Sequence, residues 1–172
     1  MTDRAAGTGW RTVRRWIGAA ALIAMVASCG VAGKGKDMDI SLESAKSKVM
    51  SMEQELLALL PEEAVSSTWA NDTSNLLSCG DDRKKWAGDA EAELLPGVDR
   101  DGFMNDAAAA FSGREGWKVA EEQTSKGDRS LDLLHEDGTH LMVSFEEDPE
   151  ALRIAGFSAC FDFPEYEYGE EY

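Results

Sequence analysis

Apolar positions recur along the chain with more than one period. Leu42, Ala45, Val49, Met52, Leu56 and Leu59 are separated by alternating steps of three and four, the spacing that lines one face of an α-helix. Ser41 offers a side-chain oxygen to the first free N–H groups, and Pro61 cannot continue the ladder, so the pattern predicts a helix between them. Trp86, Gly88, Ala90, Ala92 and Leu94 alternate with polar neighbours and predict a strand, although Ala and Glu also suit helices. Asp99 is placed to cap a second helix from Arg100 to about Ser112. Its inner face carries Phe103, Ala107, Ala110 and Phe111, and Gly113 to Gly116 ends it.

The rest reads as an antiparallel meander. Trp117–Glu122 is one strand. Leu131–His135 and Leu141–Phe145 flank Asp137-Gly138, the strongest hairpin signal in the chain. Leu152–Phe161 is the last strand. Residues 64–85 are polar and turn-rich, apart from the short run Leu76-Leu77-Ser78-Cys79. The expected fold class is α+β: two helices on one face of an antiparallel sheet of about four to five strands, with one disulfide. The expected single domain runs over 41–162. The acidic segment 163–172 is expected to be a disordered tail.

The N-terminus has a different pattern. Arg11, Arg14 and Arg15 precede an uncharged run from Ile17 to Ser28. That run is too short to span a bilayer, which takes roughly 20 apolar residues, and it fits the apolar part of an export signal. Val26-Ala27-Ser28-Cys29-Gly30 resembles the lipobox of bacterial lipoproteins. The resemblance implies cleavage between Ser28 and Cys29, diacylglycerol on the Cys29 sulfur, and a domain held on the outer side of the cell membrane. Residues 1–28 are then the signal peptide and 29–40 a lipidated cysteine with a flexible tether. Arg14-Arg15 leaves general and twin-arginine export both open. Gly-Trp before a strand, Asp-Gly-Thr at a hairpin and Ser-Ala-Cys near the end make the chain similar to small lipoproteins of high-GC Gram-positive bacteria. That likeness implies no particular activity.

Charge narrows the partners. The 172 residues hold 17 Lys and Arg against 33 Asp and Glu. Four of the basic groups and one acid lie in 1–28, so the remainder carries 13 basic and 32 acidic side chains. A field of that sign repels nucleic acid, and no nucleic-acid partner is expected. With Cys29 given to lipid, Cys79 and Cys160 remain. In an oxidising compartment they form one possible structural bridge. A redox pair is the alternative, but such pairs usually sit as Cys-x-x-Cys.

Candidate chemistry is sparse. His135 and His140 are the two histidines of the chain. A two-residue Asp137-Gly138 turn would set them opposite each other, where they could bind a metal ion; a solvent-facing pair is the plainer reading. Asp99-Arg100-Asp101-Gly102 starts like a calcium loop, but Ala110 stands where the bidentate Glu belongs. Glu146, Glu147, Asp148 and Glu150 could gather calcium or simply face solvent. Trp69, Trp86 and Trp117 could line a groove or fill a core. No nucleophile elbow, zinc-protease motif or phosphate loop occurs. The expectation is therefore a chain with no enzymatic activity and no cofactor: a lipid-anchored binding or scaffold module for a protein or cell-wall partner. A carrier of a small apolar ligand or lipid is the alternative, and a metal-dependent enzyme using His135 and His140 the less favoured one.

Overall fold

Ser41 begins the first helix by local chemistry alone: its side chain accepts a hydrogen bond from Ser44 N at 3.2 Å. Helix α1 then runs over Leu42–Leu57 and buries Ala45, Val49, Glu53 and Leu56. The computed structural model describes residues 40–172 apart from 81 and 165. Among the described residues no helix is long and apolar enough to cross a membrane. The expected signal peptide, Cys29 and nearly all of the tether lie outside the described residues.

A short 3-10 turn over Glu62–Ala64 leads into strand β1, Val65–Ala70. Two short strands follow, β2 at Leu77–Ser78 and β3 at Arg83–Lys85, and then β4 at Ala87–Leu94. Asp99 caps helix α2, Arg100–Ser112, by accepting from Gly102 N at 2.9 Å. Strands β5 (Trp117–Gln123), β6 (Arg129–His135), β7 (His140–Glu147), β8 (Glu150–Phe157) and β9 (Phe161–Asp162) complete the chain.

Six strands form one antiparallel sheet in the order β1-β4-β8-β7-β6-β5. Helix α2 carries the chain from β4 to the far edge at β5, and the β5–β8 meander returns until β8 docks on β4. Alternation decides which side chains meet the helices. Leu131 and Leu133 of β6, Leu141, Val143 and Phe145 of β7, and Leu152 and Ile154 of β8 point inward with Ala90, Ala92 and Leu94 of β4. Phe103, Met104, Ala107 and Phe111 of α2 close over them, and Phe103 meets Phe145 edge-on at 5.5 Å.

The expected fold class is corrected. Among the described residues the fold is mostly β, with two helices, the six-stranded sheet and a second three-stranded sheet in the order β2-β3-β9. Strand β1 escaped the pattern because five of its six residues are exposed, so no alternation marks it. Strands β2, β3 and β9 have two or three residues each, too few for any period. The expected last strand also breaks: β8 ends at Phe157 and β9 starts at Phe161.

The Cys79–Cys160 disulfide ties the small sheet together, with Cα atoms 6.2 Å apart. A second apolar cluster sits beside it, where Ala45 and Val49 of α1 meet Leu76, Trp86 and Phe161. The expected disordered tail packs here instead. Tyr172 and Ser74 exchange backbone hydrogen bonds of 2.9 and 3.0 Å, and Trp86 Nε1 donates to Tyr172 O at 3.0 Å. Aromatic side chains outweigh the acidity of this segment: Phe163 meets the Tyr172 ring at 5.1 Å, and Lys84 lies over Tyr166.

Candidate functional site

Both helices use the same face of the large sheet, so among the described residues its other face is uncovered. Directly paired residues share a face, which makes the layout of that surface explicit. One row runs Lys118, Leu134, His140, Phe157 and Ala87. The next runs Ala120, Asp132, Met142, Ala155 and Asp89. A third runs Glu122, Ser130, Ser144, Arg153, Glu91 and Trp69. Leu134, Met142 and Trp69 remain 45%, 44% and 57% exposed. Arg153 organises the charges. It donates to Asp89 at 2.8 Å and to Glu146 at 3.1 Å, and Glu91 lies 3.8 Å away. Three carboxylates around one guanidinium leave this part of the face net negative. Shallow space of about 210 Å³ lies between Arg153, Met142 and Ser144.

A roomier cleft of about 470 Å³ opens where the end of α1 meets the start of α2. Its apolar wall is made by Leu59, Leu60, Leu95, Val98 and Phe103, and Glu63, Asp99 and Asp106 also line it. Among the described residues no Lys, Arg or His does. The layer between helices and sheet is itself filled by the core side chains described above.

Glu53 is the most unusual polar group. It is 1% exposed, faces the sheet from α1, and neither carboxyl oxygen has a hydrogen-bond partner among the described residues. It fits because Gly88 and Gly156 pair across β4 and β8 beneath it. A Cβ on Gly156 would stand 2.6 Å from Glu53 Oε1, and a Cβ on Gly88 would overlap the carboxyl. Burial, helped by the negative Asp89, pushes the Glu53 pKa up to about 7. Sequence periodicity could have found it, since position 53 follows Val49 by four and precedes Leu56 by three on the buried face.

A second polar cluster joins α1 to the β6–β7 turn. Lys48 Nζ donates to Asp137 Oδ2 at 2.5 Å, and His135 Nδ1 lies 2.8 Å from Asp137 Oδ1. Thr139 N donates to Asp137 Oδ1 at 2.8 Å. Burial opposes the Asp137 charge, but the bonds from Lys48, Thr139 and His135 outweigh it and hold the carboxyl well below the usual carboxylate range. Asp137 thus ties a turn to a helix.

The expected facing of His135 and His140 is corrected. The turn passes through Glu136, Asp137 and Gly138, and His135 N donates to Thr139 O at 2.8 Å. His140 therefore pairs with Leu134. One residue of register reverses a side chain's face, so His135 turns inward against Trp117, ring centroids 5.0 Å apart, while His140 lies on the open face, 3.5 Å from Asp132. The two imidazoles cannot share an ion. Among the described residues no group of three or more His, Cys, Asp or Glu is arranged to hold a metal. Asp99 is spent on its helix cap, Glu146 on Arg153 and Glu150 on Arg100 at 3.0 Å. The three tryptophans do not converge: Trp86 is buried, Trp117 packs edge-on against Phe111 at 4.8 Å, and Trp69 is exposed at the β1 edge.

No protein-family model matches the chain, and no curated protein matches it. Among solved structures it is similar to a DUF4853 family protein from Actinomyces odontolyticus, a high-GC Gram-positive bacterium, with 13% identity and a TM-score of 0.44 over 72% of this chain and 70% of that one.

Proposed function

We propose that this chain is a non-catalytic binding module, held on the outer side of the cell membrane by lipid on Cys29, and that it takes a protein partner on the uncovered face of its six-stranded sheet. The single observation behind this reading is that face: exposed Leu134, Met142 and Trp69 stand on a sheet whose opposite side is closed by both helices. Apolar side chains set among charges on an otherwise solvated surface mark interaction sites. The carboxylates around Arg153 and the acidity of the whole chain favour a partner whose contact surface is basic. The lipid rests on the likeness of Val26–Cys29 to a lipobox, and with it the cell-membrane location.

Two measurements test the reading. Mass spectrometry of the N-terminus of membrane-extracted protein should find diacylglycerol on Cys29; a free thiol there removes the anchor. Affinity capture from solubilised membranes should retain a basic partner with the native chain and lose it with Leu134→Lys plus Met142→Lys. Capture that survives both substitutions unchanged rejects the sheet face.

A further inference from the structure

The cleft between the helix ends combines a volume of about 470 Å³ with an apolar wall and a one-sided charge. That volume falls in the range of small-molecule pockets. Leu59, Leu60, Leu95, Val98 and Phe103 line it, with Leu60 and Phe103 anchored in the main core. Glu63 and Asp106 add carboxylates to the lining, and among the described residues no cationic side chain lines it to offset them. Arg100, the nearest cation in sequence to this rim, points instead to Glu150 at 3.0 Å. Asp99 is engaged by Gly102 N, which leaves Glu63 and Asp106 as the acids available to a ligand.

Such a cleft rejects an anion, because the ligand would lose its hydration beside carboxylates. It also gives little to a small polar cation, which cannot use the leucine and valine wall. Its chemistry matches a molecule with both parts: an apolar body and a single positive head. We propose that this cleft binds small primary ammonium compounds with an aliphatic or aryl-alkyl body, the body against Leu60, Val98 and Phe103 and the ammonium toward Glu63 and Asp106. The inference is independent of the sheet-face reading, since the two sites share no residue.

Calorimetric titration of the purified chain at pH 7 with hexylamine tests this. Saturable one-to-one binding is expected, weakening as salt is raised. Hexanoate has the same body and the opposite charge, and putrescine has charge with a shorter, doubly charged body; both should bind at least about tenfold more weakly. Glu63→Gln with Asp106→Asn should reduce hexylamine affinity by up to about tenfold, the most that two exposed ion pairs are expected to supply. Ala64→Trp, which adds a large ring at a half-buried lining position, should abolish binding in a chain whose circular dichroism is unchanged. Leu134→Lys should leave the affinity unaltered, which separates this site from the sheet face. No binding of hexylamine, or equal binding of hexylamine and hexanoate, overturns the proposal.

Discussion

The carboxyl of Glu53 occupies the space that a side chain at position 88 would need. Gly88 and Gly156 are a cross-strand pair, so two missing side chains make one slot, and α1 fills it with an acid. Trp86 on one side and the leucine core on the other give that acid no partner. Its protonated form is therefore the form the fold prefers.

Stability should fall as pH rises because of Glu53. Its folded pKa is about 7 against 4.5 unfolded, so between those values the folded chain binds more protons than the unfolded chain. The contribution is fully present below about pH 4.5 and is lost as pH passes 7, a loss on the order of 3 kcal/mol. Glu53→Gln keeps the shape of the neutral acid and removes the titration. Urea unfolding should find it close to the native chain at pH 5 and more stable at pH 8. Equal pH slopes for the two chains would show that the carboxyl does not titrate in the slot.

Gly88→Ala should destabilise through contact with the same side chain. Overpacking of a filled site costs roughly 1–3 kcal/mol. A double-mutant cycle separates the causes: in a Glu53→Ala background only the buried Trp86 ring, 2.7 Å from the added carbon, still opposes the methyl group, and the penalty should shrink by the part due to the acid. An additive pair would assign the whole penalty to the Trp86 ring and none of it to the acid.

How far these features were readable follows from their range along the chain. Ser41 and Asp99 cap their helices with groups three residues away, and both helices could be placed from local spacing. Leu131, Leu133, Leu141 and Val143 alternate over a half-buried hairpin, so β6 and β7 were legible too. Strand β1 was not, because its residues are exposed on both faces and its membership depends on β4 alone. The histidine pair failed on one residue of turn length, which the Asp137-Gly138 signal does not specify. The Glu53 slot needed the pairing of positions 88 and 156, a long-range register that no local pattern contains. The cleft unites residues from the end of α1, the end of β4 and the start of α2, and it was equally invisible.

Lys48→Met should act with the opposite pH sense to Glu53. Burial works against the Asp137 charge, but the hydrogen bonds of Lys48, Thr139 and His135 depress its pKa. That stabilisation is present above the usual carboxylate value, near 3.8, and fades as pH falls below it. Losing the part-exposed lysine should cost about 1 kcal/mol at pH 7, and the difference from the native chain should close toward pH 2. A gap that stays constant on acidification would assign the lysine's effect to packing of its stem on the turn.

Removing the disulfide should release the small sheet before the large one. Strands β2, β3 and β9 are too short to persist alone, and the Cys79–Cys160 bridge joins the ends of two of them. A cross-link over a sequence separation of 81 restricts the unfolded chain by roughly 4–5 kcal/mol in the chain-entropy account. Cys79→Ala with Cys160→Ala should therefore lower the denaturation midpoint strongly. The six-stranded sheet has its own core around Leu131, Leu152 and Phe111, with no residue from β2, β3 or β9. Hydrogen exchange in the double variant should accordingly rise first at residues 74–85 and 161–172, where Ser74 and Tyr172 hold each other, while β6–β8 stay protected. Uniform acceleration across both sheets would instead make them a single cooperative unit, with the bridge supporting the whole.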